Sequence, residues 1–367
     1  MKLLTVIGTR PQFVKYAALA RGLRGAFTEV LVDTGQHYDH ALAQGIFDGF
    51  GIAGPEHALG AVASNPAVLI ADVLGKLDGI LASERPDALL CFGDTNTTVA
   101  AALAAVKREV PVLHVEAGER NFTPAGARVP AWTIPEEANR VMVDQVSSLL
   151  LCASRRAAAS LAEERVSGRI VYTGDITYDL YLSRRGEVLG RPDTAARLAA
   201  WGVEPGGYYF CTVHRALNTD SAARLGGIVQ ALGRLPLPVV LPLHPRTRKM
   251  LHQHGLWEAL AGAPSVKLLE PVGYDDSILL SSQSRGVVTD SGGVVREAFF
   301  NGVPSVCLDS TTEWYDLVLT GWSVIAGADP DDIVAAAGRP APADRPDLFG
   351  DGRAVSRTLE ALKECLS

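Results

Sequence analysis

The chain has 367 residues, 47% of them apolar and 20% charged, with a formal net charge of −7. That length exceeds one ordinary core and predicts two domains, and the composition excludes a disordered chain. The acidic balance without any basic block argues against a nucleic-acid footprint, and Asp, Arg or Gly interrupts every apolar run before it could span a bilayer.

The opening MKLLTVIGTR lacks a basic leader and a small-residue cleavage site, so it reads as a buried strand and not a signal peptide. The helix Pro11–Arg24 follows. The strand EVLVD precedes a helix around Asp39–Phe50, and Asn65–Ser83 reads as an amphipathic helix with Asp72, Lys76 and Asp78 on its polar side. Two central strands come next, then the PEEANR helix, the strand SLLLC, the helix Arg155–Glu164 and the strand GRIVYTG. Such alternation predicts a parallel, doubly wound α/β domain over residues 1–175. Gly174–Asp175 and SRRGEVLGRPD mark a crossing. The pattern then restarts near Pro192, with YYFCTV, PVVLPLH, SVKLLEP, GVVTD and PSVCLD as strands of a second Rossmann-like domain, residues 176–345. The tail, 346–367, reads as loop then helix. The default ligand site of such a pair is the cleft between the two domains. The five cysteines are scattered without a CxxC pair, as expected of reduced core thiols in a cytoplasmic protein.

The stretch Phe92–Arg140 places three carboxylates at its joints. Asp94 follows the apolar run DALLCF, Glu116 follows PVLHV, and the Ala-rich Thr95–Arg108 between them has the length of a crossover helix. Parallel neighbours joined this way bring Asp94 and Glu116 side by side at the strands' carboxyl ends, where open α/β sheets bind ligands. Pro135 suits a first helical turn and puts Glu136 at a helix N-terminus, where an acidic residue can also serve as a plain dipole partner.

Four further motifs fall at strand ends. In GTRPQFVK, Arg10 and Lys15 flank a helix N-terminus; they are either anion ligands or solvated bases, and the loop is not a GxGxxG. TGQHYDH sets His37 in a polar cluster that is either cleft lining or a plain turn. HRALN offers His214 and Arg215 where a phosphate-facing loop would sit, against a simple helix-capping role, and His244 in LHPR is similar. TDSGGVVRE is the most specific: Ser291, Gly292 and Gly293 open a helix so that backbone N–H groups can approach a diphosphate, and Glu297 lies where ribose hydroxyls would reach it.

Together GTRPQFVK, TGQHYD, GDTNTT, HVEAG, PEEANR, HRALN, HPRTRK and TDSGG…E resemble the non-hydrolysing UDP-N-acetylglucosamine 2-epimerases, in order and over nearly the whole chain. The resemblance implies a two-domain fold of the glycosyltransferase B type, with the C-terminal helix returning to the first domain. It also implies homodimers, and C2 epimerisation of a UDP-2-acetamido sugar without metal or nicotinamide, hence without a cofactor. UDP is eliminated across C1–C2 to a 2-acetamidoglucal and re-added while a proton reaches the opposite face of C2. By motif, Asp94, Glu116 and Glu136 become the acid/base set and His214 joins the catalytic group. Arg10, His214 and Ser291–Gly293 hold the diphosphate, with Lys15 a weaker candidate; Glu297 takes the ribose, and Tyr274 falls in the uracil-binding loop.

Two departures mark the sugar end, the long loop and the Trp314 segment, and a third lies in the ribose helix. EAGER is followed by the long loop Asn121–Ile134, Trp314, Tyr315 and Asp316 replace an Arg–Pro–Glu, and Arg296–Glu297 replaces Glu–Glu. They predict a modified sugar, with the Trp314 face stacking on it; the alternative is that Trp314 packs in the core and another cation substitutes. The residues Ala41–Gln44 keep little of the family's allosteric polar set. Competing readings are a glycosyltransferase on the same architecture, a binding protein without catalysis, and a hydrolysing 2-epimerase.

Overall fold

The computed structural model describes residues 1–36 and 51–366. The expected helix around Asp39–Phe50, His37 and Ala41–Gln44 lie outside the described residues. The chain divides into two compact units. The first comprises Met1–Arg120, Val129–Leu180 and Asp347–Ser367, and the second Asn121–Arg128 and Tyr181–Pro346. Residues 121–128, read from sequence as part of the first domain, thus belong to the second unit, because their contacts lie there. Phe122 pairs antiparallel with Thr312, with N···O distances of 2.9 and 3.0 Å, and its ring stacks on Tyr315 at 5.0 Å.

In the first unit, β1 (Lys2–Ile7), β2 (Thr28–Asp33), β3 (His57–Ala58), β4 (Ala88–Phe92), β5 (Val112–Val115), β6 (Leu149–Cys152) and β7 (Arg169–Tyr172) form one parallel sheet in the order β3-β2-β1-β4-β5-β6-β7. Successive strand side chains point to opposite faces, so each face has its own core. Leu3, Ile7, Leu90 and Phe92 pack on the helices Arg10–Ala26 and Ala354–Leu366. Leu4, Val6, Leu89 and Cys91 pack on Pro66–Glu84 and Asn96–Lys107. The helix Pro66–Glu84 buries Leu69, Val73, Leu77 and Leu81, a stripe at four-residue spacing, and Asn65 caps its start by accepting from Ala67 N at 2.8 Å.

In the second unit, β8 (Tyr209–Thr212), β9 (Val239–Pro242), β10 (Val266–Leu269), β11 (Gly286–Thr289), β12 (Ser305–Cys307) and β13 (Ser323–Ile325) form a parallel sheet in the order β10-β9-β8-β11-β12-β13. Strand order reverses between β1 and β4 in one sheet and between β8 and β11 in the other. Such switch points open a crevice at the strands' carboxyl ends, and the motifs singled out from sequence sit at both.

Candidate active site

At the first switch point the turn after β1 meets the turn after β4. Gly8 has to be glycine: a Cβ there would stand 1.9 Å from Thr34 Oγ1. The helix Arg10–Ala26 is then capped by a box in which Gln12 Oε1 accepts from Gly8 N at 2.9 Å and Thr9 N at 3.1 Å. The same side chain donates from Nε2 to Phe92 O at 2.9 Å and Thr95 Oγ1 at 2.9 Å. Buried Gln12 therefore ties the turn bearing Arg10 and Lys15 to the turn bearing Asp94.

β4 and β5 are paired with Phe92 opposite Val115, so Gly93–Asp94 and Glu116 leave the sheet side by side, as expected. Asp94 is held by Arg140 at 2.5 Å, and its carbonyl accepts from Asn139 Nδ2 at 2.8 Å. Both partners lie on the helix Pro135–Val146. Glu136 is exposed in the first turn of that helix, four residues before Arg140 and hence on the same face. Glu116 has φ of +65°, an uncommon conformation for a residue with a Cβ, held by its N–H donating to Leu151 O at 3.0 Å. Its carboxylate lies 2.7 Å from Lys15 Nζ, both side chains being largely buried. Lys15, a weaker candidate for the diphosphate, is thus paired with Glu116. Arg10 is exposed at the start of its helix.

The second switch point joins the turns after β8 and β11 through Asp290, which is buried. Its carboxylate accepts from His214 N at 3.0 Å, Arg215 N at 2.9 Å and Asn218 Nδ2 at 3.2 Å. This fixes the HRALN backbone and leaves the His214 ring 5.6 Å from that of His244. The Arg215 guanidinium is engaged with Asp309 at 2.6 Å. His244 caps its own helix, Nδ1 accepting from Arg246 N at 3.1 Å. Burial, then the neighbouring His214 and Arg246, lower its pKa below the usual histidine value.

Ser291 is the N-cap of the helix Gly292–Phe300, its Oγ accepting from Val294 N at 3.5 Å. The first N–H groups of a helix have no partner within it, so a turn such as Ser291–Gly293 suits an anion. Glu297 accepts from Tyr274 Oη at 3.1 Å, so the ribose and uracil candidates form one pair. Burial and then Glu297 raise the Tyr274 pKa, keeping that hydroxyl a donor.

The Trp314 face is not presented to a ligand as the stacking expectation required. The residue is buried, and the Arg296 guanidinium lies 4.3 Å from its ring centroid. Removing an aromatic face from water under a planar cation is favourable, which is the physical reason for this packing. The cation beside the packed Trp314 is Arg296. The departures make two separate contacts: Trp314 meets Arg296, with a Cβ on Gly292 standing 3.3 Å from Trp314 Nε1, and Tyr315 stacks on Phe122 of the long loop.

Sequence reasoning missed Gln12, Asn139 and Arg140 as site-forming residues. Gln12 carried a signal, the third position of a capping box; Arg140 carried one in its i+4 spacing from Glu136.

The family model described as UDP-N-acetylglucosamine 2-epimerase matches residues 21–363. The UDP-2,3-diacetamido-2,3-dideoxy-D-glucuronate 2-epimerase of Pseudomonas aeruginosa is 38% identical over 376 residues, covering 99% of each chain. A UDP-N-acetylglucosamine 2-epimerase homolog of Methanococcus maripaludis is 35% identical over 365 residues, again covering 99% of each. The crystal structure of the Methanocaldococcus jannaschii UDP-GlcNAc 2-epimerase in complex with UDP-GlcNAc and UDP superposes with a TM-score of 0.85 at 28% identity, covering 99% of this chain and 100% of that one. With the two parallel α/β units and their switch-point motifs, these matches show that the chain belongs to the UDP-N-acetylglucosamine 2-epimerase family and has the glycosyltransferase B type of fold.

Proposed function

We propose that this chain inverts C2 of a UDP-2-acetamido sugar. The observation that carries the reading is the pair of cation-held carboxylates at the first switch point, Asp94 with Arg140 and Glu116 with Lys15. The C2 proton is barely acidic, so the reaction runs by elimination: one carboxylate takes the C2 proton while the C1–oxygen bond to UDP breaks, leaving a 2-acetamidoglucal. UDP then re-adds to C1 as a second acidic group delivers a proton to the opposite face of C2. Asp94, Glu116 and Glu136 supply the proton transfers. Arg10, His214 and the N–H groups of the Ser291–Gly293 turn stabilise the leaving diphosphate, and Glu297 with Tyr274 takes the nucleoside. The reading extends to a cytoplasmic protein, from its scattered cysteines, and to a homodimer, from the resemblance.

A modified sugar is favoured over plain UDP-GlcNAc by a specific observation: beside Gly292, Trp314 stands where the common pattern has a cation and packs on Arg296, and the next residue, Tyr315, stacks on Phe122 of the long loop. A relative that acts on a 3-acetamido, 6-carboxy sugar supports the same choice.

The test incubates the protein in D₂O with UDP-GlcNAc and, separately, with UDP-2,3-diacetamido-2,3-dideoxyglucuronate. Deuterium at C2 of an epimer that keeps its UDP supports the reading. Free sugar with UDP would indicate the hydrolysing reaction, and transfer to an added acceptor alone would indicate a glycosyltransferase. In Asp94→Asn, Glu116→Gln and Glu136→Gln, exchange falls on the order of 10²–10⁴-fold; wild-type exchange in all three removes them from the chemistry.

A further inference from the structure

We propose that His114 is a positioning residue, a doubly protonated imidazolium that clamps the Gly93 carbonyl and thereby sets Asp94 and the Lys15–Glu116 pair. The proposal rests on the epimerase reading above. His114 lies in the middle of β5 and is fully buried. Its Nε2 is 2.8 Å from Gly93 O, an atom that can only accept, so Nε2 carries a proton. Its Nδ1 is 2.7 Å from Asp144 Oδ1.

Asp144 is itself an acceptor on every side. It takes Arg120 NH1 at 2.7 Å and Gly118 N at 3.1 Å. Paired with the Arg120 guanidinium and accepting from a backbone N–H, Asp144 sits in this cluster as a carboxylate. An ionised Asp144 requires a proton on Nδ1 as well. Were the ring neutral, one nitrogen lone pair would face an acceptor lone pair across 2.7 or 2.8 Å in a fully buried place. Arg120 continues the chain outward to Glu164 through bonds of 2.8 and 2.7 Å.

What the clamp holds explains its importance. Gly93 has φ of +62°, its N–H donates to Val115 O at 2.9 Å, and Asp94 is the next residue. On the other side of its Cα, an added Cβ would meet Lys15 Nζ at 3.1 Å and Glu116 Oε1 at 3.9 Å. One peptide therefore carries one acid/base carboxylate and packs on another, and His114 fixes its carbonyl from behind. Rotation of that peptide would displace both carboxylates, and a misplacement of roughly 1 Å can cost about 10²-fold in rate.

Two measurements test this. In ¹⁵N-histidine-labelled wild type at neutral pH, one ring, assigned by its loss in His114→Gln, shows both nitrogens protonated, and in Asp144→Asn the same ring loses one of those protons. In steady state, His114→Gln lowers kcat about 10²-fold, while the Kd for UDP stays that of wild type. A singly protonated His114 ring overturns the proposal, as does a folded His114→Gln with wild-type kcat. Should His114→Gln not fold, Asp144→Asn assigns the ring and supplies the kinetic comparison, with the same outcomes decisive. Absence of C2 exchange in wild type with either sugar would sink the epimerase reading instead, and the nitrogen resonances report on the clamp independently of it.

Discussion

Lys15 and Glu116 form an ion pair of 2.7 Å in which both side chains are largely withdrawn from water. Removing one member leaves a desolvated charge without its partner, which costs about 1–3 kcal/mol or more. Lys15→Met should therefore melt earlier than wild type and turn over more slowly, since Glu116 loses the cation that orients it. UDP affinity should be unchanged. Thermal melts, kcat and a UDP titration check this together; weakened UDP binding with intact kcat would make Lys15 the diphosphate ligand for which it was the weaker candidate.

Gly293 is exposed at the start of its helix, and a methyl there would meet nothing nearer than Ser291 Oγ at 3.8 Å. Gly293→Ala is thus expected to leave the ligand-free melting temperature unchanged or slightly raised, because alanine is the better helix former. On the diphosphate site proposed above, the methyl would nonetheless crowd the anion at the N–H groups. Wild type at about 100 times its Kd for UDP gains about 2.7 kcal/mol of stability, and the variant should lose most of that gain. UDP protection equal to wild type would show that the diphosphate sits elsewhere.

His244 gives a pH dependence of definite sign. Its folded pKa is lowered, first by burial and then by His214 and Arg246, and its Nδ1 lone pair caps the helix Pro245–Gln253. A lowered pKa means that the unfolded chain binds the proton more readily. This contribution to stability is therefore fully present above the ordinary histidine value of ~6.5 and is lost as pH falls through the folded value. His244→Asn keeps a capping acceptor that does not titrate. Its denaturation midpoint should be flatter than that of wild type as pH falls below about 6.5; parallel curves would assign the acid sensitivity to other groups.

Much of this architecture was legible because strands and helices announce themselves by period. Leu69, Val73, Leu77 and Leu81 repeat at helical spacing, and DALLCF is an unbroken apolar run. The ends of those elements placed Asp94, Glu116 and Ser291 correctly at the turns. Partnerships were not legible. Nothing local says that Lys15 reaches Glu116, that Tyr274 donates to Glu297, or that Gln12 bridges to Phe92, since each joins residues brought together only by sheet order. The loop Asn121–Arg128 was assigned to the wrong unit for the same reason: its backbone bonds go to Thr312, far along the chain. Trp314 was left between stacking on a sugar and packing in the core, because a residue's identity does not tell which neighbour covers its face.

Arg296 and Trp314 supply the last prediction. The guanidinium lies 4.3 Å from the indole centroid and both residues are buried, a setting in which such a contact is worth about 2 kcal/mol. The common pattern of the resembled family has Glu at the first of these positions and Arg at the second, so the chain reads as having exchanged one complementary pair for another. Trp314→Arg alone sets two guanidinium groups against each other in a desolvated place and should destabilise the second unit. Arg296→Glu alone places a buried carboxylate against an aromatic face and should do the same. The double variant restores opposite charges, so its melting temperature should exceed what the two single losses predict when added. Because Trp314 lies beside Gly292, where an added Cβ would stand 3.3 Å from its Nε1, the double variant should also shift the ranking of kcat/KM across a panel of UDP-sugars toward plain UDP-GlcNAc. Additive single losses would show that the two positions do not act as a pair. A coupled pair with an unchanged ranking would confine that contact to stability and return sugar choice to the first unit.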